Sequence, residues 1–304
     1  MNPLWLILNG KSAGRPEVRD AVRAVRDRGV RVDVHVTWEA GDAARFATQA
    51  AARVEPGLTV VAGGGDGTVN EVLNGLLAAP HRPPLAVLPL GTANDFATSA
   101  GVPVADLAAA LRLAAEGQPH PVDVGRVNDR LFLNVASGGF GAEMTERTPL
   151  RLKQMLGGGA YALTAALMAV TGHAYRGRLS ADGLVHEGAM TLMAVGNGRQ
   201  AGGGALLTPQ AHIDDGLLDV MVVPDAPHDR VVHLLADLAQ LKHGASPHFR
   251  YLRTAALEVD SEDDLQFNLD GEPLRGRSFR FDLLPGAVEL VLPPDSALLK
   301  RNAA

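Results

Sequence analysis

Residues 58–77, LTVVAGGGDGTVNEVLNGLL, constrain what this chain can fold into more than any other stretch. The apolar run Leu58, Val60, Val61 and Ala62 reads as a buried parallel strand. It ends in Gly63, Gly64 and Gly65, continues through Asp66, Gly67 and Thr68, and enters a helical pattern with Val69, Val72, Leu73, Leu76 and Leu77 on one face. Strand, glycine-rich turn and helix together present bare backbone N–H groups and a helix N-terminus to a phosphate. A Cβ there would hold the phosphate oxygens off the backbone and resist positive φ. Asp66 repels a naked phosphate, so its presence suggests a cation between the two anions, most simply Mg²⁺ carried on a nucleotide. The turn looks built for ATP. The plainer alternative is a tight strand-to-helix connection with Thr68 as helix cap. The setting between a buried strand and an amphipathic helix favours the phosphate.

The pattern around this turn predicts its neighbours. Strands are expected at Leu4–Leu8, Val30–Val36 and Leu85–Leu88, with helices over 16–28, 41–53, 69–79 and 104–116. Such alternation signals a parallel sheet wrapped by helices, with sites at the carboxyl ends of the strands. Asn9-Gly10, Gly63–Thr68 and Leu90-Gly91-Thr92 should therefore converge on one edge. Beyond about residue 120 the grammar changes. Short strands are expected over 122–127, 131–135, 190–196, 217–223, 257–259, 265–269, 279–284 and 288–292, with helices near 149–172 and 228–243. The chain thus reads as an α/β domain over 1–120 and a mostly antiparallel β-rich domain over 121–304. The last residues either close the second domain or return to the first.

Composition excludes several classes. With 304 residues, 46% hydrophobic and 20% charged, this is a globular chain with ample core, and at 4% aromatic that core is expected to be aliphatic. A net charge of −6 argues against a nucleic-acid binder. Zero cysteines exclude thiol nucleophiles and thiolate metal sites, and suit a reducing cytoplasm. No signal peptide is evident at Met1–Leu8, and the apolar Ala160–Val170 stretch is roughly half the length a bilayer requires, so no transmembrane segment is expected. The ten histidines show no HExxH or paired spacing, so no zinc site is expected.

Other motifs carry candidate chemistry. In Pro89–Phe96, Thr92 would hydrogen-bond a nucleotide phosphate while Asn94 and Asp95 face the acceptor or cap a helix. Gly10-Lys11-Ser12 fails as a Walker loop, because position 5 is Trp where a glycine is needed. Asn268-Leu269-Asp270-Gly271-Glu272 is either an ordinary Asp-Gly hairpin or the carrier of a proton acceptor, Glu272 or Asp270. Around His212–Asp219, acids cluster at a turn whose oxygens suit a hard cation, although a solvated turn explains them as well. Arg147, Arg151, Lys153, Arg176 and Arg178 lie in a segment without acids, either the charged collar of a core helix or a surface for anionic lipid.

Taken together, VAGGGDGTVNEV (61–72), LPLGTANDFA (88–97), NVASGGFGAEM (134–144), VGNGRQAGGG (195–204), IDDGLLDV (213–220) and NLDGEP (268–273) resemble the diacylglycerol-kinase catalytic family, in particular its bacterial YegS-type lipid kinases. The resemblance runs essentially end to end. It implies an ATP-binding α/β domain facing a β-rich lipid-substrate domain across a cleft. It implies that Gly63, Gly64, Gly65, Asp66, Gly67, Thr68, Val69, Thr92 and Thr37 hold ATP. Glu272 would be the proton acceptor with Asp270 its companion, and magnesium (or calcium in its place) would bind Asp215 with the carbonyls of His212 and Leu217. The expected activity is ATP- and Mg²⁺-dependent phosphorylation of a lipid hydroxyl, phosphatidylglycerol- or diacylglycerol-like, in phospholipid metabolism. The expected location is cytoplasmic, peripheral to the inner face of the membrane. The rivals are an NAD kinase-like enzyme and a non-catalytic ATP-binding module.

Overall fold

A computed structural model of the chain describes residues 1–138, 174–182, 184–225 and 249–300. It divides into two compact units, Met1–Asp123 with Pro285–Ala304, and Val124–Leu284.

The first unit is built on parallel strands β1 (Leu4–Leu8), β2 (Val32–Val36), β3 (Thr59–Gly64) and β4 (Leu85–Pro89) in the order β4-β3-β1-β2. Every residue of β1, β3 and β4 is buried, as strands covered on both faces must be, whereas the edge strand β2 alternates. The end of the long strand β15 (Glu272–Val291) adds a further parallel partner, Leu290 beside Leu85. Helices α1 (Pro16–Arg26), α2 (Asp42–Ala52), α3 (Asp66–Leu77), α4 (Asp95–Ala100) and α5 (Leu107–Glu116) connect or flank these strands. α1 starts with proline at its first turn and buries Val18, Ala21, Val22 and Val25. α5 is capped by Asp106, whose side chain accepts the Ala109 N–H at 2.8 Å.

The second unit is β-rich and antiparallel. Its strands are β5 (Pro119–Val127, shared with the first unit), β6 (Arg130–Phe132), β7 (Val135–Gly138), β8 (Tyr175–Ala181), β9 (Leu184–Gly196), the short pair β10 (Gln200–Ala201) and β11 (Ala205–Leu206), β12 (Leu218–Pro224), β13 (Arg250–Thr254), β14 (Ala256–Leu269) and most of β15. Strands β7 and β8 occupy successive lengths of the same position between β9 and β14.

Several expectations are corrected. The segments at 257–259 and 265–269 are one strand, β14, whose register against β15 shifts between Asp260 and Leu265. Those at 279–284 and 288–292 are likewise parts of β15. Glu262, Asp263 and Asp264, within the register shift of β14, are exposed, and a solvated face tolerates them. Strands β8 and β13 had no expectation at all, whereas a helix was expected to begin after the 89–92 turn and α4 does so at Asp95. The helices expected near 149–172 and 228–243 lie outside the described residues. The first unit's core is mainly aliphatic, with Trp5 and Phe96 buried in it. In the second, Phe132, Phe267, Phe279 and Phe281 are all buried, with edge-on ring pairs at 4.8, 5.2 and 6.4 Å.

Candidate functional site

In the first unit, the carboxyl ends of β1, β2 and β3 are in register, with Leu8 beside both Val36 and Gly63. Strand β3 runs on through Gly64, and α3 begins at Asp66 with Gly65 as its N-cap residue. Thr68 is therefore inside the first helical turn and is not the cap. The N–H groups of Asp66, Gly67 and Thr68 have no intrahelical acceptor, the condition for an anion site.

The glycines serve close approach. None of Gly63, Gly64, Gly65 or Gly67 has a positive φ, contrary to expectation. A Cβ on Gly64 would stand 2.3 Å from the Thr68 hydroxyl oxygen, and one on Gly91 would stand 2.5 Å from the Gly65 Cα. The two loops thus touch backbone to backbone, helped by the Leu90 N–H donating to Gly64 O at 2.9 Å.

Asp66 has partners that the sequence did not indicate. Its carboxylate accepts the Asp95 N–H at 3.2 Å and the Phe96 N–H at 3.0 Å, capping α4 from the neighbouring loop. These bonds account for the aspartate without a cation. Asn94 stands at the N-cap position of α4, but its side chain caps no helical N–H. Its side chain accepts from Gly91 N at 2.8 Å and donates to Gly91 O at 2.9 Å, which closes the turn and fits its φ of 52°. Asp95 is buried, and Thr92 is exposed on the same loop.

On the other flank, Thr37 Oγ1 accepts the Gly10 N–H at 3.2 Å, and Asn9 donates from Nδ2 to Thr68 Oγ1 at 3.1 Å. Thr37, Gly10, Asn9, Thr68 and the glycine turn therefore form one connected set, extended to Gly91 by the loop contact. Sequence reasoning did not single out Asn9 as a link. It also missed Arg15, which donates to Leu90 O at 3.4 Å.

In the second unit, Asp270 and Gly271 are the two central residues of the β14–β15 hairpin, both with positive φ (51° and 104°), and Leu269 pairs with Glu272. This is the two-residue turn that Asp-Gly signals. The side chain of Asp270 is nonetheless captured. It accepts the N–H groups of Leu133 at 2.6 Å, of Asn134 at 3.1 Å and of Val135 at 3.1 Å. Asn134 in turn donates to Gln200 O at 2.7 Å, and Asn197 to Leu133 O at 2.7 Å. Three motifs far apart in the chain (134–144, 195–204 and 268–273) meet here. Glu272 is exposed beside them.

Asp215 is held differently from expectation. Its Oδ1 accepts the Leu217 N–H at 3.1 Å, and its Oδ2 receives the Arg253 guanidinium. Arg253 also reaches Asp219 at 3.3 Å, where Tyr251 donates its hydroxyl at 2.7 Å. Burial pushes the Asp219 carboxyl up to about 6 and raises the Tyr251 hydroxyl. His212 has its pKa lowered by burial, and its Nδ1 lies 3.9 Å from Asp215. Among the described residues there is no group of three or more His, Asp or Glu arranged to hold a metal.

Residues 3–127 match the diacylglycerol kinase catalytic domain, and residues 134–292 match the YegS C-terminal NAD kinase beta sandwich-like domain. The chain belongs to the diacylglycerol-kinase catalytic family, in its YegS-like branch. Proteins of Chromohalobacter salexigens and Pseudomonas aeruginosa, each named "Probable lipid kinase YegS-like", are 48% identical to it. The first match covers 98% of this chain and 96% of the relative, the second 97% and 96%. A solved structure of a diacylglycerol kinase from Bacillus anthracis superposes with a TM-score of 0.75 at 26% identity, covering 97% of this chain and 98% of that one. As a family member the chain is a kinase, a phosphotransferase with an alcohol group as acceptor. Among the described residues no helix is long and apolar enough to cross a membrane.

Proposed function

We propose that this kinase transfers the γ-phosphate of ATP to a hydroxyl of a glycerolipid or related lipid alcohol. One observation carries the ATP half: the α3 N-terminus opens beside a glycine contact, Gly65 against Gly91, that leaves backbone N–H groups bare of side chains. Gly63 to Val69 cradle the phosphates, with Thr37 and Thr92 as hydroxyl contacts on the two flanks. The lipid half is supported by the names of the relatives and by the family match.

Glu272 is the proposed proton acceptor. It takes the proton of the attacking hydroxyl while that oxygen bonds to the γ-phosphorus and the bond to the β-phosphate oxygen breaks, releasing ADP. Asp270 suits positioning better, since protonating it would set an O–H against the N–H groups it accepts. Magnesium would accompany the nucleotide and neutralise phosphate charge. The Asp215 turn fits a cation poorly, because a metal on its carboxylate must share Oδ2 with Arg253 or displace it.

Action at the inner membrane surface follows from a lipid acceptor. Arg176 and Arg178, exposed on β8, would favour anionic headgroups. Most of the acid-free segment proposed for this surface lies outside the described residues. The decisive experiment incubates the purified chain with ATP, MgCl₂ and either lipid extract or NAD, and weighs the products by mass spectrometry. A phosphorylated lipid is expected. Phosphorylated NAD alone, or no product from either acceptor, would overturn the proposal.

A further inference from the structure

We propose that the Trp38 indole is the platform on which the adenine ring of ATP stacks, making Trp38 a positioning residue for the nucleotide. This rests on the ATP reading of the carboxyl edge. Of the two tryptophans, Trp5 is 3% exposed and stacked on His35, whereas Trp38 is 95% exposed. Burying an indole is among the largest single gains open to a fold, so a fully solvated one is costly. The backbone that bears it is nevertheless fixed. Trp38 N donates to Asp42 Oδ2 at 2.7 Å, Glu39 N donates to the same oxygen at 3.1 Å, and Asp42 is itself paired with Arg45.

Its position matches the nucleotide. Val36, Leu8 and Gly63 lie in register on three adjacent strands. Two interstrand spacings separate the first from the last by ~10 Å. Two residues further on come Trp38 on one strand end and Gly65 on the other. A ribose and its phosphate chain bridge such a span, with phosphates on the glycine turn and the base at β2. Thr37, next to Trp38, is already tied to that turn through Gly10, Asn9 and Thr68. The β4 flank offers Gly91 and the exposed Thr92 but no exposed ring, since Phe96 is buried, and among the described residues no other aromatic side chain is among the exposed large hydrophobics. An anionic bilayer suits this surface less well, because Glu39 and Asp42 adjoin the indole.

The test uses the full chain and its variants Trp38→Ala and Trp38→Phe, titrated with ATP or inorganic tripolyphosphate in MgCl₂ by calorimetry and tryptophan emission. ATP should quench the exposed indole, and Trp38→Ala should weaken ATP by roughly tenfold or more. Tripolyphosphate should bind wild type and Trp38→Ala alike. Trp38→Phe should restore most of the ATP affinity and lose the quench, and KM for ATP should shift far more than kcat. If ATP binds wild type and Trp38→Ala equally, the stacking role is wrong while the ATP site stands. If neither ATP nor tripolyphosphate binds wild type, both are wrong. A blue shift of Trp38 on anionic vesicles, without response to ATP, would instead assign the ring to a membrane.

Discussion

Two carboxylates separated by a single residue do different work. Asp270 is buried and fixed by three backbone N–H groups, while Glu272 faces solvent with an unencumbered side chain. Replacing Glu272 by Gln keeps shape and polarity and removes only the basic oxygen. Lipid-dependent ATP turnover should fall by roughly 10²–10⁴, while the thermal midpoint stays within a degree or so of wild type. Near-normal turnover in that variant would remove Glu272 from its role. Asp66 is the converse case, because its two backbone bonds serve the fold as well as the site. Asp66→Ala should cost about 1 kcal/mol, typical of a lost helix cap, lowering the thermal midpoint by a few degrees. It should also weaken ATP, since the loop bearing Thr92 loses two of the bonds that tie it to the glycine turn and keeps that of Leu90 to Gly64. An unchanged melting curve would show that the α4 cap carries no stability.

At the scale of elements, the β2–α2 connection is governed by Asp42. Hydrogen bonds from the Trp38 N–H, from Arg45 and from the Glu39 N–H hold its carboxyl at about 2, below the ordinary 3.8. The native state therefore binds a proton less readily than the unfolded chain does. Its contribution is complete above pH about 4 and disappears as the pH falls from there toward 2. The difference in thermal midpoint between wild type and Asp42→Ala should be widest near neutrality and vanish toward pH 2. A difference independent of pH would mean that the loss is one of packing, not of charge. The same clasp fixes the Trp38 backbone, so Asp42→Ala should also weaken ATP if stacking on that ring is real.

For the molecule as a whole, the return of the chain into its first unit is the main dependence. Val288, Leu290, Val291, Leu292, Leu298 and Leu299 are each at most 2% exposed there, and Leu290 pairs with Leu85. Burying six such side chains contributes on the order of 10 kcal/mol, comparable to the entire stability of a typical domain. A chain truncated after Leu284 should lose the cooperative melting of the first unit and all ATP binding. A soluble, cooperatively melting truncation that still binds ATP would contradict this. The second unit carries its own balance of charge. Asp215 and Asp219 share Arg253, with Tyr251 completing the cluster, so two buried carboxylates are met without a metal.

Sequence by itself determined the glycine turn between a buried strand and an amphipathic helix, the alternation over the first hundred residues, and the six motifs of the family. These are local properties, written in periodicity and in residues with singular backbones. It could not say what the polar residues of those motifs touch. Asp66 reads as a neighbour of a cation, and its carboxylate also caps a helix thirty positions away. Asp270 reads as a catalytic companion, and its carboxylate also anchors the 133–135 backbone. Asp215 meets Arg253, which no spacing linked to it. Each of those partners comes from a distant segment, and hydrogen bonds between distant segments exist only once tertiary packing has closed the loop between them. The indole of Trp38 is the same lesson in reverse. A tryptophan in a sequence is presumed buried, and only the folded edge leaves this one in water at the end of β2, two strands from the glycine turn.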